Sequence, residues 1–264
     1  MTGGALLGVV AAVVGGAAPD LDSAARATVE QSGKAVVTVR LVLKLKSGGQ
    51  EHEQKVEVPG VIIDPSGLTV ASASSIDPSG VFRRMVDAQR QRVSIESEVK
   101  EPVILLEDGT ELEAAVVLKD TDLDLAFIRP RDTGLKLPAV TLKPRPGTVP
   151  LLTRLYVLGR LSKLANRALS VATGEIRAYV RGPAPYYVTD GESSSFVGSV
   201  AYTADGVPLG VFVKRFATSM DTSGGRGSDS VMTVLRPVDK ILELAAQART
   251  IAVAPAPSDS GVLK

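Results

Sequence analysis

Along most of this chain the apolar residues alternate with polar ones. From Ala35 to Leu45, the residues Val37, Val39, Leu41, Leu43 and Leu45 take every second position, the period of a strand with one buried face. Gly48-Gly49 reads as a turn, and Lys55–Val58 begins the returning strand. Val61-Ile62-Ile63 and Leu68-Thr69-Val70-Ala71 flank Asp64-Pro65-Ser66-Gly67. Proline second and glycine fourth suit a type I turn, so this segment predicts a hairpin. Further strands are expected at Val103–Leu106 and Glu113–Leu118, with the turn Glu107-Asp108-Gly109-Thr110 between them, and at Leu123–Ile128. The same rhythm places strands at Arg154–Val157, Ser170–Tyr179, Tyr186–Val188, Val197–Thr203 and Pro208–Val213.

Three segments carry a helical spacing instead. Asp20-Leu21-Asp22-Ser23 caps a short helix that Gly33 ends. Asp77–Arg92 sets Val81, Met85, Val86 and Ala88 beside Arg83, Arg84, Arg90 and Arg92, and reads as a helical insertion with a solvated basic side. Arg236-Pro237-Val238-Asp239 opens a closing helix over about residues 237–248, with Ile241, Leu242, Leu244 and Ala245 on one face. Asp132–Thr148 and the Gly/Ser-rich Met220–Ser230 read as loops, and residues 249–264 as a flexible tail. Short strands with turn signals between them predict an all-β fold of barrels or sandwiches, and the length suffices for two small barrels on a common core.

Residues 1–19 stand apart, for they carry no charged side chain and Ala5–Ala18 is an unbroken run of Ala, Leu, Val and Gly. That run suits the apolar stretch of a signal peptide, whereas a spanning helix needs about 20 residues. With Gly15-Gly16-Ala17-Ala18 at its end, it predicts export to the periplasm or beyond and no stable membrane span after cleavage. The lack of Lys or Arg ahead of the run and Pro19 behind it count against cleavage, and a buried or frayed segment is the alternative.

Composition narrows the chemistry. Thirty Lys and Arg against 29 Asp and Glu, with 4% aromatics, leave no basic stripe or set of stacking rings for nucleic acid. No cysteine is present, which excludes disulfides, thiol nucleophiles and thiolate metal sites. The single histidine, His52, excludes a His-rich metal centre and leaves one imidazole for any catalytic triad. Neither a metal nor a cofactor is expected.

The order of segments resembles the trypsin-like proteases of the HtrA (Deg) type. Gly60-Val61-Ile62-Ile63-Asp64-Pro65-Ser66-Gly67-Leu68-Thr69-Val70-Ala71 is similar to that family's G-[FV]-I-I-D-x-x-G-x-I-[LV]-T hairpin. Leu106-Glu107-Asp108-Gly109-Thr110-Glu111 resembles its L-x-D-G-[RT]-E turn, and Asp120-Thr121-Asp122-Leu123-Asp124-Leu125-Ala126-Phe127-Ile128 its D-x-x-x-D-L-A-[VL]-[IL] strand. Ala172-Thr173-Gly174-Glu175-Ile176, Asp205-Gly206-Val207-Pro208-Leu209-Gly210-Val211 and Arg236-Pro237-Val238-Asp239 follow in the family's order. The resemblance implies two packed six-stranded barrels of the chymotrypsin fold within residues 20–248. Barrel one would span about 35–130 and barrel two about 150–215, with a short N-terminal helix and a closing C-terminal helix. The chain stops shortly after that helix, so no PDZ domain is expected.

The departures bear on function. The family hairpin runs into T-[NA]-x-H-V, which supplies its catalytic histidine. Here the stretch reads Ala71-Ser72-Ala73-Ser74-Ser75-Ile76, with Ser74 in the histidine position. The family nucleophile lies in G-N-S-G-G-P, and counting back from Asp205 puts Val197 in its place. Counting forward from Thr189-Asp190 puts Gly198 there instead. Asp124 alone matches the triad acid. A serine attacks a carbonyl only when a base takes its proton, and the triad acid only orients and stabilises an imidazole. His52, between Glu51 and Glu53 after a turn, reads as a solvated histidine. Ser193, Ser194, Ser195 and Ser199 read as a polar loop rather than as displaced nucleophiles served by Lys163 or Lys214. Asp120–Asp124 lacks the glycine and glutamate of a calcium loop, where Leu125 and Arg131 stand, and Gly224-Gly225-Arg226-Gly227 lacks a phosphate-binding context. The expectation is a non-catalytic homologue that binds a peptide or protein. A hydrolase with a rearranged site, and a structural module whose cleft is filled by Phe196 and Val197, are the alternatives.

Overall fold

In the computed structural model, which describes residues 21–47, 50–81, 95–190, 196–216 and 231–253, the alternating run after Ala35 becomes β1 (Val36–Ser47). Val37, Val39, Leu41 and Leu43 point inward and are buried. β2 (Gln50–Ile62) returns along it in an unbroken register from Ser47↔Gln50 to Val36↔Val61. With β3 (Thr69–Ser72), β4 (Ile95–Leu105), β5 (Glu111–Asp120) and β6 (Leu125–Pro130), these strands close an antiparallel barrel in the order β1-β2-β3-β6-β5-β4. A second closed barrel, β10-β11-β12-β9-β8-β7, is built from β7 (Arg154–Arg160), β8 (Leu169–Val180), β9 (Tyr186–Thr189), β10 (Val200–Thr203), β11 (Pro208–Phe216) and β12 (Val231–Pro237). Helix α1 (Leu21–Ser32) leads in, and α3 (Val238–Thr250) closes the chain. The expected all-β fold of two six-stranded barrels, with helices at the two ends, is the one observed.

Four elements differ from the sequence expectation. β2 begins at Gln50 rather than Lys55, because its polar start pairs with the end of β1, and it runs on through Pro59-Gly60 to Ile62. A proline fits where β2 has only one strand neighbour. β4 starts eight residues early, at Ile95. Its polar run Glu96–Glu101 is ordered by pairing with the far end of β1, not by a buried face. The register shifts between Arg40 and Val42, a β-bulge, and nearby Glu101 takes φ +50. β10 begins at Val200 rather than Val197, since residues 196–198 form a turn. β12 is unforeseen: its last residues carry the Arg-Pro-Val-Asp signature of a helix start, which hid the strand before it. Barrel two therefore extends to residue 237, beyond the expected boundary near 215.

One apolar core fills barrel one and continues into barrel two through Leu158, Val200, Val211, Val213 and Val234. Helix α3 lays Ile241, Leu244, Ala245 and Ala248 on that core, and Arg249 reaches Asp64 in the β2–β3 turn at 3.1 Å. The predicted type I turn is present, with Gly67 N–H donating to the Asp64 carbonyl at 3.0 Å and Gly67 at φ +89. Residues 79–81 begin the expected helical insertion; the rest of it and its four arginines lie outside the described residues. So do residues 1–20, most of the tail, Gly224–Gly227 and Ser193–Ser195. Among the described residues, no helix is long and apolar enough to cross a membrane.

Candidate functional site

The site grows from the β3–β6 ladder. That ladder ends at Ser72↔Leu125, so Ser74, in the helical turn after β3, and Asp124, in the turn before β6, lie close together. Ser72 caps α2 (Ala73–Ile76), a single helical turn, by accepting from the Ser75 N–H at 3.3 Å. Asp124 sits at φ +56, a left-handed position that Asp tolerates better than most residues, and the Ala73 N–H donates to its carbonyl at 3.1 Å.

The Asp124 carboxylate is 2% exposed and holds three donors. Oδ1 accepts from the Ser74 N–H at 2.7 Å, and Oδ2 from the Ser72 hydroxyl and the Lys214 N–H, each at 2.7 Å. Lys214 lies on β11, so this carboxylate ties the barrels together as well as closing its own hairpin. A buried carboxylate needs such charge-assisted bonds, because desolvation without them is costly. The Ser74 hydroxyl lies 3.3 Å from that of Ser72. No sequence motif pairs Ser72 or Lys214 with Asp124. A serine two positions before the Ser74 slot, at the start of a short helix, was the available signal for the first. The second is a main-chain group and leaves no trace in residue identity.

Beside this cluster a cavity of about 60 Å³ is lined by Ser74, Asp124, Asp77, Ser79, Lys119 and Phe216, among others. Burial alone would raise the Asp77 carboxyl, but hydrogen bonds from Lys119, Ser97 and Ser79, with the Lys119 charge, hold it down at about 2. Asp77 is thus a fixed anion that anchors the start of the insertion to β4 and β5.

Val197 is buried in the 196–198 turn, where Ser199 N–H closes onto the Phe196 carbonyl at 2.7 Å. Gly198 follows at φ +88, and a Cβ there would stand 2.3 Å from the Pro59 carbonyl oxygen of β2. Only glycine lets this turn press on barrel one. Ser199 is buried, with its hydroxyl against Gly159. His52 lies exposed on β2 opposite Leu45, as its sequence setting predicts. The structure thus brings Ser74 and Asp124 together and sets Val197 on a turn packed across the barrel boundary. Asp120 Oδ1 accepts the N–H groups of Asp122 and Leu123, an ordinary Asx turn. Among the described residues no cluster of three His, Cys, Asp or Glu could hold a metal ion.

Two closed six-stranded antiparallel barrels, joined at a carboxylate that follows the β5–β6 turn, define a trypsin-like fold. Residues 59–211, more than half of the chain, match the trypsin-like peptidase domain family, and the chain belongs to it. Among solved structures it is similar to an HtrA-type protease, an AlgW variant with a tripeptide, at a TM-score of 0.58 and 18% identity. The likeness covers 84% of this chain and 62% of that one, so this chain spans less than two thirds of that protein's length. At this identity the likeness speaks for the fold. A comparison with curated proteins finds no match.

Proposed function

We propose that this chain is a non-catalytic member of the trypsin-like peptidase family whose inter-barrel cleft binds an extended peptide or protein segment. The observation that carries the reading is the set of donors on Asp124, which includes no imidazole. In a working triad the acid fixes an imidazole, which in turn takes the proton of the nucleophile. Here its oxygens are held by the Ser72 hydroxyl and two main-chain N–H groups, Ser74 stands in the histidine position, and the one histidine lies exposed on a distant stretch of β2. Ser72 donates to Asp124 but is 1% exposed, too deep to meet a substrate carbonyl. A carboxylate is also a poor base for an alcohol, because their pKa values lie far apart.

The binding side of the reading rests on main-chain geometry. An extended segment added beside a strand gains its affinity from backbone hydrogen bonds, which do not depend on a catalytic pair. The N-terminal sequence favours an exported protein, where such a binder would meet unfolded or extracellular chains.

The test is a fluorophosphonate serine probe read by intact mass, beside an active protease as control. The protein is expected to keep its native mass. A stoichiometric one-probe shift would overturn the reading, and peptide mapping would name the serine in use.

A further inference from the structure

An open concavity lies away from Asp124, between the outer face of β1–β2 and the β7–β8 loop. Two adjoining hollows of about 400 and 570 Å³ share Thr38, Arg40, Arg160 and Arg167. Its floor follows the strand register, with Arg40 opposite Glu57 and Val42 opposite Lys55, and its far wall is the loop after β7. Pro59, the residue on which the Gly198 turn presses, lines the same groove, so the groove begins beside the Val197 position.

The charges are unequal. Arg40, Lys55, Arg160, Lys163 and Arg167 line it against Glu57, Glu107 and Glu111. Arg40 forks onto Glu111, and Arg167 forks onto Glu57 across the barrel boundary. Arg160 donates to the main-chain oxygens of Val36 at 2.7 Å and Gly33 at 3.1 Å and pairs with Glu107 at 3.7 Å. Lys55 and Lys163 are exposed, and among the described residues neither forms an ion pair. The loop that carries Lys163 is held in an uncommon shape, with Asn166 at φ +52 and Arg167 at φ +53, and it presents Leu161 at 46% and Leu164 at 99% exposure. Leu161 and Lys163 both line the hollow, so an apolar contact and a cationic one stand close together.

We propose that this groove selects an acidic extended segment with interspersed apolar residues, its carboxylates meeting Lys55 and Lys163 and exchanging with Glu57 on Arg167. The proposal rests on the peptide-binding reading above and adds the class of ligand. An incoming carboxylate offers Arg167 the same bidentate contact that Glu57 gives, so the exchange replaces one ion pair with another. A peptide is favoured over nucleic acid because none of the groove's lining residues is aromatic, and base stacking needs such rings.

The test uses the full chain and fluorescence anisotropy with a labelled peptide of repeated Glu-Ser-Leu, and with its Gln-Ser-Leu and Lys-Ser-Leu counterparts. The Glu peptide is expected to bind best, to weaken as salt rises, and to lose about tenfold in affinity in a Lys55→Glu/Lys163→Glu variant. Both lysines are exposed, and an unchanged melting temperature shows that the variant folds. Equal binding of the Glu and Gln peptides, or binding unaffected by the double substitution, overturns the acidic preference while leaving peptide binding in place. Failure of all three peptides overturns both. Tighter binding of a single-stranded oligonucleotide than of the Glu peptide overturns the choice of occupant.

Discussion

The two ends of the inter-barrel boundary are built on opposite terms. At the Asp124 end the contacts are short, buried and largely main-chain: three donors on one carboxylate, and a glycine turn against a carbonyl. At the Arg167 end they are side-chain ion pairs between half-exposed groups, around an open groove with two unpaired lysines. Buried networks fail badly when one member is removed, whereas exposed pairs hardly register. Asp124 thus acts as a buried tie between the barrels, and the open, adaptable contacts lie at the other end.

Four substitutions sharpen that contrast. Asp124→Ala leaves the Ser72 hydroxyl and the N–H groups of Ser74 and Lys214 without an acceptor and puts alanine at φ +56; a loss of about 3–5 kcal/mol in urea unfolding is expected. Gly198→Ala drives a Cβ toward the Pro59 carbonyl at φ +88 and should cost about 2–4 kcal/mol, read as a lower midpoint with an unchanged slope.

Lys119→Met removes the charge that helps hold Asp77 near 2. Because the folded carboxyl lies below its usual 3.8, its stabilisation is present above about pH 4 and is lost as pH falls toward 2. The variant should lose on the order of 1–2 kcal/mol at neutral pH and show a shallower decline in melting temperature across that acid window. Glu57→Gln, at the open end, should change stability by less than about 1 kcal/mol. An effect as large as that of Asp124→Ala would erase the distinction between the two ends.

Much of this was legible in the residues. Strict alternation in Val37–Leu45 and the Asp64-Pro65-Ser66-Gly67 turn fixed barrel one's first strands, because a buried face and a positive-φ glycine leave few choices. The polar start of β4 and all of β12 were hidden, since partner strands order them and residue pattern does not. The same holds at the site. Ser74 and Asp124 could be placed together by motif order, but Lys214 enters through its main-chain N–H. The charged groove went unseen because its residues come from β1, β2 and a loop more than 100 positions downstream, as in the Arg167–Glu57 pair.

The central claim, binding without cleavage, is tested most directly by retaining a random peptide library on the immobilised protein and sequencing the eluate by mass spectrometry. The account predicts retained peptides of full input length, enriched in Asp and Glu. Peptides carrying new termini, or no retained peptide at all, would contradict it.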